Sequence, residues 1–272
     1  MKFYFKTVTS VALLMAFIFC IMPFGVVTAK QESRFSGYST TLTTRASTSE
    51  TINYTRKEYT TVETVKGVPK YNQISDLTNS CGAIAGAIIV GFYDKYFEDL
   101  VPNYQTYVSS GTYKGRDSVH IPSLMRELYT LMRTNIDDVG VSEKDCLNGL
   151  KAYVSGKGHS IAYNSVKYLN RLNETTCTNA INNNHPILLF CDKMDLYEFS
   201  LLENSDILVC STYVGGHVCV GYGIYVVNYY NGNNLFRTDK YIHVSTGLGM
   251  STGYLKIDST DWCNGAYEVV VS

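Results

Sequence analysis

Cys81 and His217 are the residues whose types and surroundings best suit covalent catalysis. Cys81 follows a polar loop and begins a long apolar segment, Cys81–Tyr93. If that segment is a helix, unpaired backbone N–H groups and the positive end of the helix dipole surround the thiol and favour the thiolate. A buried structural cysteine is the alternative, because free cysteines usually behave as small apolar side chains. A thiolate assisted by an imidazole is a nucleophile that attacks acyl groups.

His217 lies in an apolar, glycine-rich segment, Val214–Gly223, 136 residues after Cys81. Strand alternation predicts that His217 shares one face with the small residues Cys219, Gly221 and Gly223. A lone histidine in a strand is more often structural. Here, however, the face of small residues is the surface that an Ala- and Gly-rich helix needs for close packing. The sequence therefore predicts that the helix of Cys81 lies against the strand of His217.

Helices are predicted in the first part of the folded region and strands in the second. The segment Cys81–Tyr93 is apolar on every side, which suits a helix buried at the centre of a domain. Its length favours a helix over a buried strand, and Asn79 or Ser80 is placed to cap it. Residues 95–160 carry apolar stripes at helical spacing, and after about residue 160 short apolar runs are separated by polar turns. This order predicts an α+β fold with two lobes.

The N-terminus has the composition of an export signal. Two lysines precede a long apolar run that ends in Val27-Thr28-Ala29, which predicts a secretory signal at residues 1–29. An uncleaved membrane anchor is the alternative, because the run is long enough to cross a bilayer. Residues 30–66 contain ten threonines and five serines, which predicts a linker or short pro-segment. The folded domain is then expected to cover residues 67–272.

The composition is otherwise that of a globular protein. With 23 basic and 24 acidic side chains, the net charge of −1 gives the chain no general attraction to nucleic acid. Seven of the eight cysteines lie after the predicted signal. In an exported protein such residues usually form disulfides, and an odd number leaves at least one free thiol. No Cys-x-x-Cys motif or histidine pair at helical spacing is present, so no zinc site is expected.

Two blocks of the sequence carry a family resemblance. The first contains Val68-Pro69, Gln73, Cys81-Gly82-Ala83 and Phe92-Tyr93-Asp94, and the second contains Gly216-His217-Val218 and Gly221-Tyr222-Gly223. Together they resemble the papain-like cysteine peptidases, most closely the bacteriocin-processing (double-glycine) peptidase-like branch. The interval between Cys81 and His217 also agrees with papain-like enzymes. The resemblance implies that Cys81 is the nucleophile, that His217 is the general acid/base, and that Gln73 donates a hydrogen bond to the oxyanion.

The third catalytic position departs from that family. The resemblance implies an Asn or Asp on the strand after the histidine strand, and this position falls on Ser245. A serine hydroxyl can accept the imidazole N–H, but it adds no charge that would stabilise an imidazolium. Asp239, at the entrance of the same strand, supplies a carboxylate if its loop folds inward. The residue that orients His217 stays open between Ser245 and Asp239.

These features predict a secreted, extracellular bacterial cysteine peptidase that hydrolyses peptide bonds through an acyl-thioester intermediate. Its partner would be a peptide or protein substrate, with no nucleic acid, no membrane after signal cleavage, and no metal or organic cofactor. The resemblance implies a papain-like two-lobe fold, in which an N-terminal helical lobe carries Cys81 and a C-terminal antiparallel β lobe carries His217. Two alternatives are a papain-like binding module with impaired catalysis, and a Cys-His amidase or acyl transferase acting on the cell surface.

Overall fold

Four helices and ten strands are found in the residues that the computed structural model describes, which are 43–104, 119–136, 139–248, 252–258 and 262–272. All of these residues belong to one compact unit. The helices are α1 (Cys81–Tyr93), α2 (His120–Leu131), α3 (Glu143–Gly156) and α4 (Glu174–Asn182). The strands are β1 (Thr43–Asn53), β2 (Arg56–Thr64), β3 (Ile161–Ser165), β4 (Lys167–Tyr168), β5 (Arg171–Leu172), β6 (Ile187–Leu202), β7 (Ser205–Asn231), β8 (Asn234–Ser245), β9 (Gly253–Lys256) and β10 (Cys263–Val271).

Helix α1 is the central helix of the fold, and all 13 of its residues are buried. Its glycines let neighbouring side chains approach the helix axis. A Cβ at Gly86 would lie 2.7 Å from Met132 Cε, and a Cβ at Gly91 would collide with the ring of Tyr71. Ser80 occupies the N-cap position, but its hydroxyl donates to the Leu77 carbonyl rather than capping the helix. The helix predicted from the apolar run is confirmed, whereas side-chain capping by Ser80 is not found.

Strand β7 organises the main sheet. Its first part, 205–214, pairs with β1 and β6, and its second part, 217–231, pairs with β2, β8 and the start of β6. Strand β9 joins β8 to β6, so β6, β7, β8 and β9 pair in a closed ring. All of these pairings are antiparallel. A ring of this kind leaves few strand edges unpaired.

Two clusters of buried apolar side chains lie on this framework. The main core surrounds α1 and contains side chains from all four helices and from the sheet. The second cluster, which we call the aromatic core, contains side chains from β1, β6, β7, β8 and β9. It is formed by Ile52, Leu208, Val227, Tyr229 and Tyr241, with Tyr54, Tyr197, Phe199, Tyr225 and Tyr254 partly buried against them.

The α+β class predicted from the sequence is confirmed by this combination of helices and antiparallel sheet. The order of the elements differs from the prediction, because β1 and β2 precede the helices. These strands occupy 43–64, inside the segment 30–66 that composition predicted as a linker or pro-segment. Residues 43–64 are therefore strands of the sheet and not a linker, since threonine and valine also suit strands that pair with a long neighbour. The pro-segment alternative stays a prediction.

The predicted signal at residues 1–29 and the stretch 30–42 lie outside the described residues. Within the described ranges, no helix has the length and apolar character needed to span a bilayer.

Candidate functional site

Cys81 is the first residue of α1, and its thiol is 1% exposed. Burial raises the pKa of this thiol to about 12. Hydrogen bonds from the backbone N–H groups of Val218 and Gly82 oppose that rise, because they stabilise the thiolate. The start of α1 thus directs N–H donors at the sulfur as predicted, but desolvation is the larger effect.

His217 lies on β7 and is also 1% exposed. Its Nε2 lies 2.8 Å from the carbonyl oxygen of Thr246, just beyond the end of β8. A carbonyl oxygen only accepts hydrogen bonds, so Nε2 carries the hydrogen and donates it. In the neutral imidazole the lone pair then belongs to Nδ1, which is the nitrogen able to take up a proton.

Three segments of the chain converge on these two residues. The thiol of Cys81 meets the backbone of Val218, the residue that follows His217. Beyond β8, a Cβ at Gly247 would lie 2.8 Å from Cγ2 of Ile84 in the first turns of α1. Gly247 has a φ of +72°, a conformation that side chains disfavour, so glycine suits this position for two reasons. The helix start, the histidine strand and the turn after β8 therefore form one site.

Gln73 lies at the rim of this site. Its backbone N–H donates to the Gly247 carbonyl at 3.2 Å, which ties the loop before α1 to the turn after β8. Its side chain is exposed, and the amide nitrogen lies 3.4 Å from the Leu77 carbonyl. This placement puts Gln73 close to the converging segments, and its role as oxyanion donor stays a prediction.

Ser245 and Asp239 differ in their relation to the imidazole. Ser245 is buried beside the site, opposite Val220, but its hydroxyl donates to the Pro69 carbonyl at 3.3 Å. The group that holds Nε2 of His217 is instead the backbone carbonyl of the next residue, Thr246.

Asp239 pairs with Val227 on β7. Val227 lies ten residues beyond His217, a separation of about 33 Å along an extended strand. Its carboxylate binds Arg237, Tyr241 and Lys256. The proposal that Asp239 turns inward to orient the imidazole is therefore wrong, because it belongs to a different ion-pair network.

The two glycines on the His217 face, Gly221 and Gly223, do not make room for α1 as predicted. A Cβ at Gly221 would collide with Ile242, and a Cβ at Gly223 would lie 3.1 Å from the Cβ of His243. The nearest atoms thus belong to neighbouring strands, not to α1. The glycines allow close side-chain packing within the sheet.

His243, opposite Gly223 on β8, stacks on Tyr254 with ring centroids 4.4 Å apart and is hydrogen-bonded to Tyr222. Burial, together with the charge of Lys70, lowers its pKa to about 4. His243 is therefore neutral at pH 7.

The seven cysteines of the described residues are all free thiols, although cysteines of exported proteins usually form disulfides. Cys146 and Cys219 lie near Cys81: a Cβ at Gly82 would lie 3.4 Å from the sulfur of Cys146, and Cys219 is close enough to interact with the Cys81 thiol. The thiols of Cys191 and Cys219 are hydrogen-bonded to each other. Within the described ranges, no group of three or more His, Cys, Asp or Glu side chains has the arrangement of a metal site.

Sequence reasoning predicted Cys81 and His217 as the catalytic pair but missed the groups that the structure places against them. Those partners are backbone groups, the N–H of Val218 and the carbonyl of Thr246. Backbone groups leave no side-chain signature in a sequence. The sequence signal for these partners was Gly247, which indicates a turn directly after β8. Thr246, whose carbonyl accepts from His217, lies in that turn.

Comparison with known proteins does not assign this chain to a family. No family model, no curated protein and no solved structure matches this chain.

Proposed function

We propose that this protein is a papain-like cysteine peptidase, with Cys81 as nucleophile and His217 as general base and acid. The observation that carries the proposal is the convergence of a thiol at a helix start with the strand of a histidine. That histidine donates Nε2–H to the Thr246 carbonyl at 2.8 Å, which directs its basic nitrogen, Nδ1, away from Thr246. An imidazole fixed in one tautomer is the arrangement that Cys-His catalysis requires.

Acylation begins from a neutral thiol, since burial raises the pKa of Cys81 to about 12. As the sulfur attacks the peptide carbonyl carbon, its proton passes to Nδ1 of His217 and the carbonyl oxygen becomes an oxyanion. The imidazolium then gives this proton to the leaving amine, and the C–N bond breaks. The products are a free amine and a thioester on Cys81.

Deacylation reverses these roles. His217 takes a proton from water while the water oxygen attacks the thioester carbonyl. The carboxylic acid product leaves, and the thiol of Cys81 recovers its proton. Backbone N–H donors at the start of α1 and the amide of Gln73 are the proposed oxyanion partners, because donors aimed at the developing charge lower the barrier most effectively.

A second function, a non-catalytic binding module of the same fold, is favoured by one observation. Both Cys81 and His217 are 1% exposed, and a substrate must reach the sulfur. In a module of this kind the buried thiol would act as a small apolar side chain of the main core.

Hydrolysis of labelled casein by the purified chain separates the two functions. We expect the wild type to hydrolyse casein, and we expect Cys81→Ala and His217→Ala to lose at least about 100-fold in rate, the size of a general-base contribution. Cys177→Ala is the matched control. Its thiol is also buried with a pKa raised to about 12, but it lies on α4, so the activity should be retained.

A peptidyl epoxide gives the second readout, with the modified residue located by peptide mass analysis. Modification of Cys81 that depends on His217 supports the peptidase. If casein hydrolysis is absent and the epoxide does not modify Cys81 in the folded chain, the peptidase proposal fails and the binding module replaces it.

A further inference from the structure

A cavity of about 250 Å³ opens into the aromatic core, apart from Cys81 and His217. Its lining comes from strands β2, β6, β7, β8 and β9. The lining residues are Tyr59, Phe199, Leu201, Asp206, Tyr225, Val227, Tyr229, Tyr241 and Tyr254. Six of the nine carry an aromatic ring, and five of these are tyrosines. A lining of this kind is far richer in rings than an ordinary surface depression.

The cavity has a floor and a mouth. Asp206, Tyr229 and Tyr241 are buried and form the floor, whereas Tyr59 and Leu201 are exposed and form the mouth. Leu201 lies directly opposite Asp206 in the β6–β7 pairing, so the mouth opens above the buried carboxylate. A ligand can therefore enter from solvent without any strand being displaced.

The charges around the cavity are already balanced. The Asp206 carboxylate receives Lys57 Nζ at 2.8 Å on Oδ1 and at 3.0 Å on Oδ2. It also receives the hydroxyls of Tyr54 at 3.1 Å and Tyr229 at 3.0 Å. These four contacts occupy the hydrogen-bond acceptor positions that the two oxygens of a carboxylate offer. A cationic ligand would find the Asp206 carboxylate already neutralised by Lys57, and an anionic ligand would be repelled by that carboxylate, so the cavity suits an uncharged group.

The rings of the lining are arranged edge to face. Phe199 and Tyr241 have centroids 5.0 Å apart at 80°, and Tyr225 and Tyr254 have centroids 5.3 Å apart at 85°. This geometry offers both ring faces and ring edges, which another aromatic ring can use. A sugar would instead need several buried polar groups with unused hydrogen-bonding capacity, and Asp206, the charged group of the lining, has its acceptor positions filled.

We propose that this cavity binds a single uncharged aromatic ring, of the phenol or indole class. The volume agrees with this size, because pockets that hold drug-sized ligands begin at about 300 Å³. The ring can belong to a free small molecule or to an aromatic side chain of a peptide, since the chemistry is the same. The site is separate from the catalytic residues: Tyr225 lies eight residues beyond His217 on β7, about 26 Å along the strand.

Titration of the full chain with p-cresol, measured by ligand-observed NMR and calorimetry, tests the proposal. We expect saturable binding with a dissociation constant on the order of 1 mM, because a ligand with few non-hydrogen atoms can gain only a small binding free energy. N-acetyltyrosine amide tests the peptide source with the same ring. D-Glucose and tetramethylammonium chloride are the sugar and cation probes, and neither should bind at the same concentrations.

Two adjacent leucines give a matched pair of variants. Leu201 and Leu202 are 61% and 54% exposed, but strand alternation puts only Leu201 at the mouth. Leu201→Trp should weaken p-cresol binding at least tenfold by filling the mouth, and Leu202→Trp should leave it unchanged. Tyr59→Ala, which removes a ring at an exposed position, should also weaken binding.

Cys81→Ala should bind p-cresol as the wild type does, so the result does not depend on the proposed peptidase activity. Absence of saturable p-cresol binding overturns the proposal. Equal binding of glucose or tetramethylammonium overturns the aromatic class, and equal loss in both tryptophan variants overturns the location. If p-cresol binds but N-acetyltyrosine amide does not, the ligand is a free small molecule rather than a peptide side chain.

Discussion

A backbone carbonyl that accepts a hydrogen bond from a catalytic imidazole fixes the imidazole tautomer, as a carboxylate does. Unlike a carboxylate, it carries no net charge that would stabilise the imidazolium. In this protein the Thr246 carbonyl has that position, and the Cys81 thiol beside the histidine strand is buried. Burial favours the neutral thiol of Cys81 over a preformed thiolate, and the carbonyl adds no net charge that would stabilise an imidazolium. In the proposed peptidase mechanism the thiol proton therefore has to move during the attack, as it does for a serine nucleophile.

The pH dependence of Cys81 alkylation follows from this argument. The thiolate is the reactive form, and a pKa of about 12 in place of 9.0 lowers its share at neutral pH by roughly 1000-fold. We expect iodoacetamide to label Cys81 at pH 7 far more slowly in the folded than in the denatured chain. The rate should keep rising with pH to at least pH 10, because the thiolate share increases tenfold per unit below the pKa.

Peptide mass analysis at each pH measures this rate, with the less buried Cys210 as the internal comparison. A rate of Cys81 labelling that is fast and constant between pH 5 and 7 would contradict the prediction. It would show a thiolate–imidazolium pair already formed in the free protein.

At the scale of elements, the small residues of helix α1 determine how closely neighbouring side chains can approach it. Its small residues were visible in the sequence, and a uniformly apolar segment of this length could be predicted as a buried helix. What its glycines face could not be predicted, because that depends on residues distant in the chain such as Tyr71 and Met132. The same limit explains the missed strands β1 and β2, whose partner on β7 lies over 150 residues later.

Gly91→Ala tests the close approach on α1. The new methyl would collide with the Tyr71 ring, whose hydroxyl is hydrogen-bonded to Tyr104, and overpacking of this kind costs about 1–3 kcal/mol. The helix preference of alanine recovers about 1 kcal/mol at most, so we expect a net loss of stability in urea unfolding.

Gly156→Ala is the matched control, because Gly156 ends α3 and nothing lies within 4 Å of a Cβ there. That variant should be unchanged or stabilised by up to about 1 kcal/mol. If Gly91→Ala is as stable as Gly156→Ala, α1 is not packed against Tyr71 as described.

On the scale of the whole molecule, β7 connects the main core to the aromatic core. The N-terminal strands β1 and β2 contribute residues to the aromatic core and its surroundings. Ile52 of β1 is buried in the aromatic core, and Lys57 of β2 is the cation of Asp206. The composition of residues 30–66 alone predicted a linker or short pro-segment that precedes the folded domain. The structure indicates instead that 43–64 stabilises the domain, because removing it would leave a buried carboxylate without its partner.

Lys57→Met tests this dependence with a single change. The ammonium binds a carboxylate that is 2% exposed, and breaking a buried ion pair on one side costs about 3–5 kcal/mol, because the remaining charge is uncompensated. We expect a loss in that range in urea unfolding, with Lys66→Met, an exposed position just beyond β2, close to the wild type. The double variant Lys57→Met/Asp206→Asn should recover part of the loss, since the neutral amide needs no cation. A wild-type stability for Lys57→Met would contradict the dependence of the domain on 43–64. A double variant less stable than the single one would contradict the assignment of the loss to an uncompensated charge.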